Sequence, residues 1–138
     1  MPLYTAKAHV TGGRDGHGET DDGILKVDLR LPKELGGAGG ATNPEQLFAI
    51  GYAACFEGAI AFVARQDKLE VGDVAIDSEV SLNAKDGGGF LLSAILNVSL
   101  SGLDQTAAEA LVAKAHTVCP YSNATRGNMD VTLNVMAK

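Results

Sequence analysis

The chain has 138 residues, a length typical of one domain, and its 17 acidic and 11 basic residues give a formal net charge of −6. This acidic balance attracts neither nucleic acid nor an anionic membrane surface, so neither is an expected partner. The first ten residues lack the basic start and apolar run of a secretory signal, and the most apolar run, 47–56, is shorter than the ~20 residues of a spanning helix. We therefore expect one cytoplasmic domain, 1–138, without a membrane segment.

Several segments have the pattern of β-strands. Apolar residues alternate with charged residues along 25–31 and largely with charged or polar residues along 74–82, which is the period of a strand with one buried face. Segments 4–10, 90–100 and 131–136 are further predicted strands, and the glycine-rich segment 85–89 is the predicted turn between two of them. The chain is therefore expected to contain five or six strands.

Two segments between these strands have helical patterns. Asn43 can cap the first helix, Pro44 suits its first position, and it could extend to about Arg65. Asp104 can cap the second, in which small and apolar residues recur at helical spacing along 105–116. The element order predicts an α+β fold with antiparallel sheets packed on helices. The glycine run 36–40 is expected to be a loop, because the Lys-Ser/Thr of a phosphate-binding loop does not follow it.

The two cysteines, Cys55 and Cys119, carry the most chemical information. Cytosolic disulfides are usually transient, catalytic or sensing, and two inert free thiols are the alternative. Cys55 lies among apolar residues, where burial would raise its thiol pKa, so a reactive Cys55 requires a nearby cation. The arginine candidates are Arg14, Arg30, Arg65 and Arg126.

The surroundings of these candidates leave alternatives open. Arg14 lies in a glycine-rich turn, which could hold a guanidinium over a site or be an ordinary solvated hairpin tip. Arg126 could equally cap a helix. Cys119 precedes Pro120, so it is predicted at a helix boundary. His116 and Cys119 form an H-x-x-C pair, but no second ligand pair is present, so no metal is predicted.

Two long blocks, TNPEQLFAIGYAACFEGAI around Cys55 and VCPYSNATRGN around Cys119, resemble one protein family. The chain is similar over nearly its whole length to the organic hydroperoxide resistance branch of the Ohr/OsmC proteins, bacterial thiol peroxidases. The resemblance implies that Cys55 is the peroxidatic cysteine and Cys119 the resolving cysteine. It also implies that Arg14 stabilises the thiolate and that Glu45 orients the arginine.

The resemblance also carries expectations about assembly and electron supply. It implies an intertwined homodimer with a long central helix and sites at the subunit interface. It implies a cofactor-free reduction of alkyl or fatty-acid hydroperoxides to alcohols. The disulfide is expected to be reduced by an external dithiol such as dihydrolipoamide on a lipoylated protein. A non-catalytic binding or scaffold domain with a buried packing cysteine, and a thiol redox sensor, are the alternative functions.

One geometric point constrains these expectations. Glu45 and Cys55 are ten residues apart, about 15 Å along a continuous helix, so they could not share one arginine along a straight helix. Either the first helix begins after Glu45, or Glu45 acts through a subunit interface. Phe48, Phe56 and either Phe90 or Tyr121 could line an apolar pocket, although each is more often plain core. The sequence assigns no role to Tyr52 or Glu57.

Overall fold

The computed structural model describes all 138 residues and confirms the α+β class, with six strands and three α-helices. Their order is β1 (Ala8–Thr11), β2 (His17–Thr20), β3 (Lys26–Asp28), α1 (Pro44–Gln66), β4 (Val74–Ala84), β5 (Phe90–Leu100), α2 (Gln105–Val118), α3 (Pro120–Thr125) and β6 (Asp130–Ala137). The contacts of the chain divide it into two compact units, the N-terminal unit (Met1–Leu47) and the C-terminal unit (Phe48–Lys138). The expectation of a single domain over 1–138 stays a prediction.

The N-terminal unit contains a three-stranded antiparallel sheet in the order β1-β2-β3. Its strands are shorter than the predicted segments 4–10 and 25–31, and β2 was not predicted, because its sequence HGET has no apolar alternation. Beyond β3 the backbone leaves the sheet: the Arg30 N–H donates to the Thr42 carbonyl, at 3.0 Å, and the Leu31 N–H to the Asp15 carboxylate, also at 3.0 Å. The chain past Asp28 therefore bonds to other segments rather than extending the strand.

Helix α1 begins as predicted. The Asn43 side chain accepts a hydrogen bond from the Gln46 N–H at 2.9 Å, and Pro44 occupies the first helical position, where no N–H is needed. The helix is 23 residues long, with a mean hydropathy of 1.8 over its most apolar 18-residue window, so its length and composition would allow it to cross a membrane. That is weak evidence for a membrane span, since the core helix of a water-soluble protein has the same properties.

The C-terminal unit contains a second three-stranded sheet, in the order β4-β5-β6. β4 and β5 form the predicted antiparallel hairpin, in register from Val74 opposite Leu100 to Ala84 opposite Phe90, with the turn at 85–89. The prediction of antiparallel sheets is confirmed for β4 and β5 but is wrong for β6, which pairs with β5 in parallel. The physical reason is the connection: the chain crosses over through α2 and α3 before it returns alongside β5.

Helices α2 and α3 complete the C-terminal unit. Asp104 caps α2 as predicted, with its carboxylate accepting the Ala107 N–H at 2.8 Å. The short helix α3 was not predicted. A single apolar core joins α1 to the sheet and to α2, and its fully buried large side chains include Phe56, Ile60, Leu96 and Val112. This core fixes the positions of α1 and of the α2–α3 junction, which carry the two cysteines.

Candidate active site

The C-terminal unit brings the two cysteines together although 64 residues separate them. Cys55 lies partly buried on α1, and Cys119 is completely buried at the junction of α2 and α3. Both are free thiols, and the Cys119 thiol donates a hydrogen bond to the Cys55 sulfur with 3.5 Å between the sulfur atoms. A disulfide has an S–S distance of about 2.05 Å, so the two atoms need to approach by only about 1.5 Å to form one.

Pro120 explains why Cys119 lies at a helix boundary. The residue before a proline avoids the helical region, and Cys119 has an extended backbone, with φ −59° and ψ 122°. Its N–H donates to the Ala115 carbonyl and ends α2, while its own carbonyl accepts the Asn123 N–H and begins α3, both at 2.9 Å. Cys119 therefore belongs to the ends of both helices, and the predicted boundary is confirmed.

The surroundings of Cys55 within this unit act on its pKa in opposite directions. Burial raises the pKa of the Cys55 thiol above its ordinary value, and the neighbouring Cys119 sulfur raises it further. The backbone N–H of Tyr121 acts in the opposite direction and lowers the pKa, but the net shift is upward. A nucleophilic Cys55 therefore needs additional positive charge.

The N-terminal unit holds Arg14 and Glu45 in a bidentate ion pair. The guanidinium Nη1 donates to the Glu45 Oε2 at 2.9 Å, and Nη2 donates to Oε1 at 2.8 Å. The Glu45 side chain is 15% exposed and that of Arg14 38% exposed. The hydrogen bonds raise the pKa of Arg14 and lower that of Glu45, so both remain charged. Since a guanidinium has five N–H groups, Arg14 keeps donors for a further anion.

The turn that carries Arg14 is closely tied to the rest of its unit. Arg14 lies in a single 3-10 turn, Gly13–Asp15, between β1 and β2. The Leu29 N–H donates to the Gly16 carbonyl at 2.8 Å, which anchors the end of this turn. A Cβ atom at Gly16 would lie 1.8 Å from the Thr11 carbonyl oxygen, so only glycine fits there. These contacts hold the backbone of the turn, while the two hydrogen bonds to Glu45 hold the guanidinium.

The other three arginines are used differently. Arg30 donates to the Leu29 carbonyl at 2.7 Å within the N-terminal unit. Arg126 donates to the Asn123 side chain at 2.8 Å and to the His116 carbonyl in the last turn of α2, which is a capping role. Arg65 is exposed in the last turn of α1. Among the four candidates, Arg14 is the one held by a carboxylate through two hydrogen bonds.

The helix bounds bear on the position of Glu45. Helix α1 begins at Pro44, so Glu45 lies in its first turn, and the alternative in which the helix begins after Glu45 is wrong. The proline sets the start because its fixed φ and missing N–H suit the first helical position. The alternative, in which Glu45 acts through a subunit interface, stays a prediction.

A mostly apolar cavity of about 740 Å³ lies within the C-terminal unit. Phe48, Phe90 and Tyr121 line it as the sequence predicts, together with Met129, which was not predicted. Phe56 does not line it, because its side chain is completely buried in the core. Tyr121 is common to the cavity and the thiol, since it lines the cavity and its backbone N–H lowers the pKa of Cys55.

Sequence reasoning missed a buried polar network beside the cysteines. The Tyr52 hydroxyl lies 2.8 Å from the Ser122 hydroxyl and 3.2 Å from that of Thr125, and the Ser122 hydroxyl lies 2.8 Å from His116 Nδ1. The available sequence signal is that Tyr52, His116 and Ser122 each lie three residues from a cysteine. Polar residues at that spacing are common, so only the structure identifies the network.

Comparisons with known proteins agree with this architecture. A family model described as OsmC-like protein matches residues 36–134. An organic hydroperoxide resistance protein of Xanthomonas axonopodis pv. citri is 56% identical, over 96% of this chain and 94% of that protein. OhrB of Bacillus subtilis, also named an organic hydroperoxide resistance protein, is 47% identical over 98% of this chain and 99% of its own.

A solved structure gives the same result for the fold. The crystal structure of an organic hydroperoxide resistance protein from Legionella pneumophila has 61% sequence identity and a TM-score of 0.95, and the match covers 98% of both chains. The chain therefore belongs to the OsmC-like family, within its organic hydroperoxide resistance branch.

Proposed function

We propose that this protein is a thiol-dependent peroxidase that detoxifies organic hydroperoxides by reducing them to alcohols. The observation that carries the proposal is the pair of free thiols 3.5 Å apart, one partly buried and one completely buried. The names of the similar proteins from Xanthomonas and Bacillus support the same role, since both are organic hydroperoxide resistance proteins.

In the first step, the Cys55 thiolate attacks the distal oxygen of R–O–OH. The O–O bond breaks, the sulfur gains the hydroxyl as a sulfenic acid, and the alkoxide leaves and takes up a proton to become the alcohol. The backbone N–H of Tyr121 lowers the pKa of Cys55 and so favours the thiolate. The remaining stabilisation comes from Arg14, whose guanidinium also offsets the negative charge that develops on the leaving oxygen.

In the second step, the Cys119 thiol attacks the sulfenic sulfur of Cys55. The S–O bond breaks, the S–S bond forms, and the hydroxyl leaves as water with the proton of the Cys119 thiol. An external dithiol, dihydrolipoamide on a lipoylated protein, then reduces the disulfide by thiol–disulfide exchange and is itself oxidised to a disulfide. The cycle requires no metal or bound cofactor.

Glu45 acts in this cycle by orienting Arg14. Its bidentate contact fixes the plane of the guanidinium, so that little conformational freedom is lost when the arginine meets an anion. The protein acts as an intertwined homodimer, in which the arginine–carboxylate pair and the cysteine pair of each site come together at the subunit interface.

The apolar cavity lined by Phe48, Phe90 and Tyr121 supports an organic substrate. Its aromatic and aliphatic lining offers an alkyl chain a surface removed from water, whereas hydrogen peroxide has no apolar part to bury. We expect alkyl and fatty-acid hydroperoxides to be reduced in the cytoplasm, without a nucleic-acid or membrane partner.

The test is turnover with a defined reductant. Purified protein is mixed with dihydrolipoamide, and the consumption of cumene hydroperoxide and of hydrogen peroxide is followed for the wild type, Cys55→Ser and Cys119→Ser. Multiple turnovers that favour the organic substrate and vanish in Cys55→Ser support the proposal. Oxidation of Cys55 without turnover by any dithiol would favour a redox sensor, and an unreactive Cys55 would favour a scaffold domain.

A further inference from the structure

Three helices meet at one buried hydrogen-bonded chain. Tyr52 on α1 and Ser122 on α3 are completely buried, and their hydroxyl oxygens are 2.8 Å apart. Ser122 also bonds to His116 Nδ1 on α2, again at 2.8 Å, while Thr125 adds a 3.2 Å contact to Tyr52 from the next turn of α3. Every hydroxyl group in this hydrogen-bonded network has a partner. Separating the three helices would therefore leave buried polar groups unsatisfied.

Three members of this network each lie three residues along the sequence from one of the two cysteines. Tyr52 is three residues before Cys55, His116 is three before Cys119, and Ser122 is three after Cys119. Residues three apart on a helix lie on the same face, so Tyr52 lies one turn from Cys55. The hydrogen bonds therefore join α1 to both helices of the α2–α3 junction, one turn from each sulfur.

We propose that Tyr52, Ser122 and His116 position Cys119 for disulfide formation; this inference rests on the peroxidase cycle proposed above. They act on the step Cys55–SOH + Cys119–SH → Cys55–S–S–Cys119 + H₂O, in which the S–S bond replaces the S–O and S–H bonds. Their side-chain hydrogen bonds go to one another and to Thr125 rather than to either sulfur atom, so we assign them as positioning residues.

The first step and the second step depend on this network differently. Attack on the hydroperoxide requires only Cys55 and the groups that stabilise its thiolate. Disulfide formation requires the sulfur of Cys119 to stay within about 1.5 Å of bonding distance, and that distance is set by how α3 and the end of α2 are held on α1. Loosening this attachment lengthens the life of the sulfenic acid, which a second hydroperoxide can oxidise to the sulfinic acid, with release of another alcohol.

The test compares Tyr52→Phe with Val98→Ala, a core change in β5 outside the network. Reduced protein is mixed rapidly with cumene hydroperoxide, and hydroperoxide loss and disulfide formation are measured separately by acid quenching, thiol alkylation and mass spectrometry. In Tyr52→Phe we expect disulfide formation to slow about fivefold, with more sulfinic acid and little change in the first step. Val98→Ala, despite its cavity, is expected to keep the wild-type ratio of the two rates.

A second pair of variants distinguishes the loss of a hydrogen bond from a general loss of packing. His116→Asn retains a polar atom close to the position of Nδ1, whereas His116→Leu fills similar space without a hydrogen bond. Slow disulfide formation in His116→Leu with recovery in His116→Asn supports positioning through Ser122. Equal rate ratios in Tyr52→Phe, Val98→Ala and the wild type overturn the inference. Failure of wild-type Cys55 to react with hydroperoxide would instead overturn the proposed function.

Discussion

At the scale of single residues, the central problem is that Cys55 lies where its reactive form is disfavoured. Partial burial and a second sulfur raise the pKa of its thiol, and one backbone N–H opposes them. The N-terminal unit contains a guanidinium that Glu45 holds through two hydrogen bonds and that keeps free donors. The proposed chemistry therefore requires the oriented Arg14 guanidinium to stabilise the thiolate of Cys55, whose thiol does not ionise easily by itself.

Replacing Arg14 tests this dependence. We expect Arg14→Ala to lower kcat/KM for organic hydroperoxide about a hundredfold, because one preorganised electrostatic contact to the thiolate and the leaving oxygen is lost. Arg14→Lys, which retains the charge without the bidentate fork, is expected to lie between the wild type and Arg14→Ala. The pKa of Cys55, measured by the pH dependence of its alkylation rate, should rise in Arg14→Ala. The exposed Arg65→Ala is the control, and equal losses in both variants would contradict the assignment.

The ion pair also predicts a pH dependence of stability. Hydrogen bonds from Arg14 lower the pKa of Glu45, although partial burial acts in the opposite direction. A carboxyl group whose pKa falls on folding stabilises the protein above its unfolded pKa of ~4.3, and this contribution is lost as the pH falls through the lower folded value. We expect the melting temperature of the wild type to be higher than that of Glu45→Gln near pH ~7, and the two melting temperatures to converge at lower pH. Circular dichroism melts across this range provide the measurement, with the exposed Glu57→Gln as control; a gap that does not depend on pH would count against the pair.

At the scale of elements, α1 contains two glycines in different surroundings. A Cβ atom at Gly51 would lie 2.8 Å from the Tyr121 hydroxyl, whereas one at Gly58 would meet nothing within 4 Å. Glycine in a helix interior costs about 1 kcal/mol relative to alanine. Gly51 therefore provides space for the tyrosine ring that lines the cavity, while Gly58 has no such role within the chain.

These glycines form a matched pair of variants. Gly58→Ala is expected to stabilise the protein by up to about 1 kcal/mol, because alanine favours the helix and meets no clash. Gly51→Ala should stabilise the protein less, because its Cβ atom meets Tyr121. It should also raise KM for cumene hydroperoxide, since Tyr121 must move at the cavity wall. Urea unfolding and steady-state kinetics measure the two effects. Equal stability and equal KM in the two variants would show that the contact between Gly51 and Tyr121 does not affect substrate binding.

At the scale of the whole molecule, local features were predictable and long-range pairings were not. Asn43, Pro44 and Asp104 determine helix starts through contacts a few residues long, so both long helices were predicted closely. The parallel pairing of β5 with β6 depends on a crossover of some thirty residues, and no local pattern encodes it. The family resemblance predicts the roles of Cys55 and Cys119, whereas only the structure gives their 3.5 Å separation.

The proposed dimer predicts that two inactive chains can restore activity together. If the arginine of one subunit serves the cysteine of the other, a mixed dimer of Cys55→Ser and Arg14→Ala contains one complete site. We expect co-expressed, differently tagged chains to regain up to about half of the wild-type activity per dimer, because one of two sites is intact. Light scattering of the wild type accompanies this experiment. A fully active monomer would exclude the dimer, and an inactive mixed dimer would place both residues of a site in one chain.

The proximity of the two thiols also has a consequence for how long the protein survives. Joining Cys55 to Cys119 closes a loop of 64 residues, which lowers the entropy of the unfolded chain and stabilises the fold by about 4 kcal/mol in the loop-entropy treatment. The folded state changes little, since its sulfur atoms are already neighbours. The oxidised protein should therefore need a higher urea concentration to unfold than the reduced protein. In the proposed cycle, the oxidised form is therefore the one more resistant to unfolding and to proteolysis of the unfolded chain.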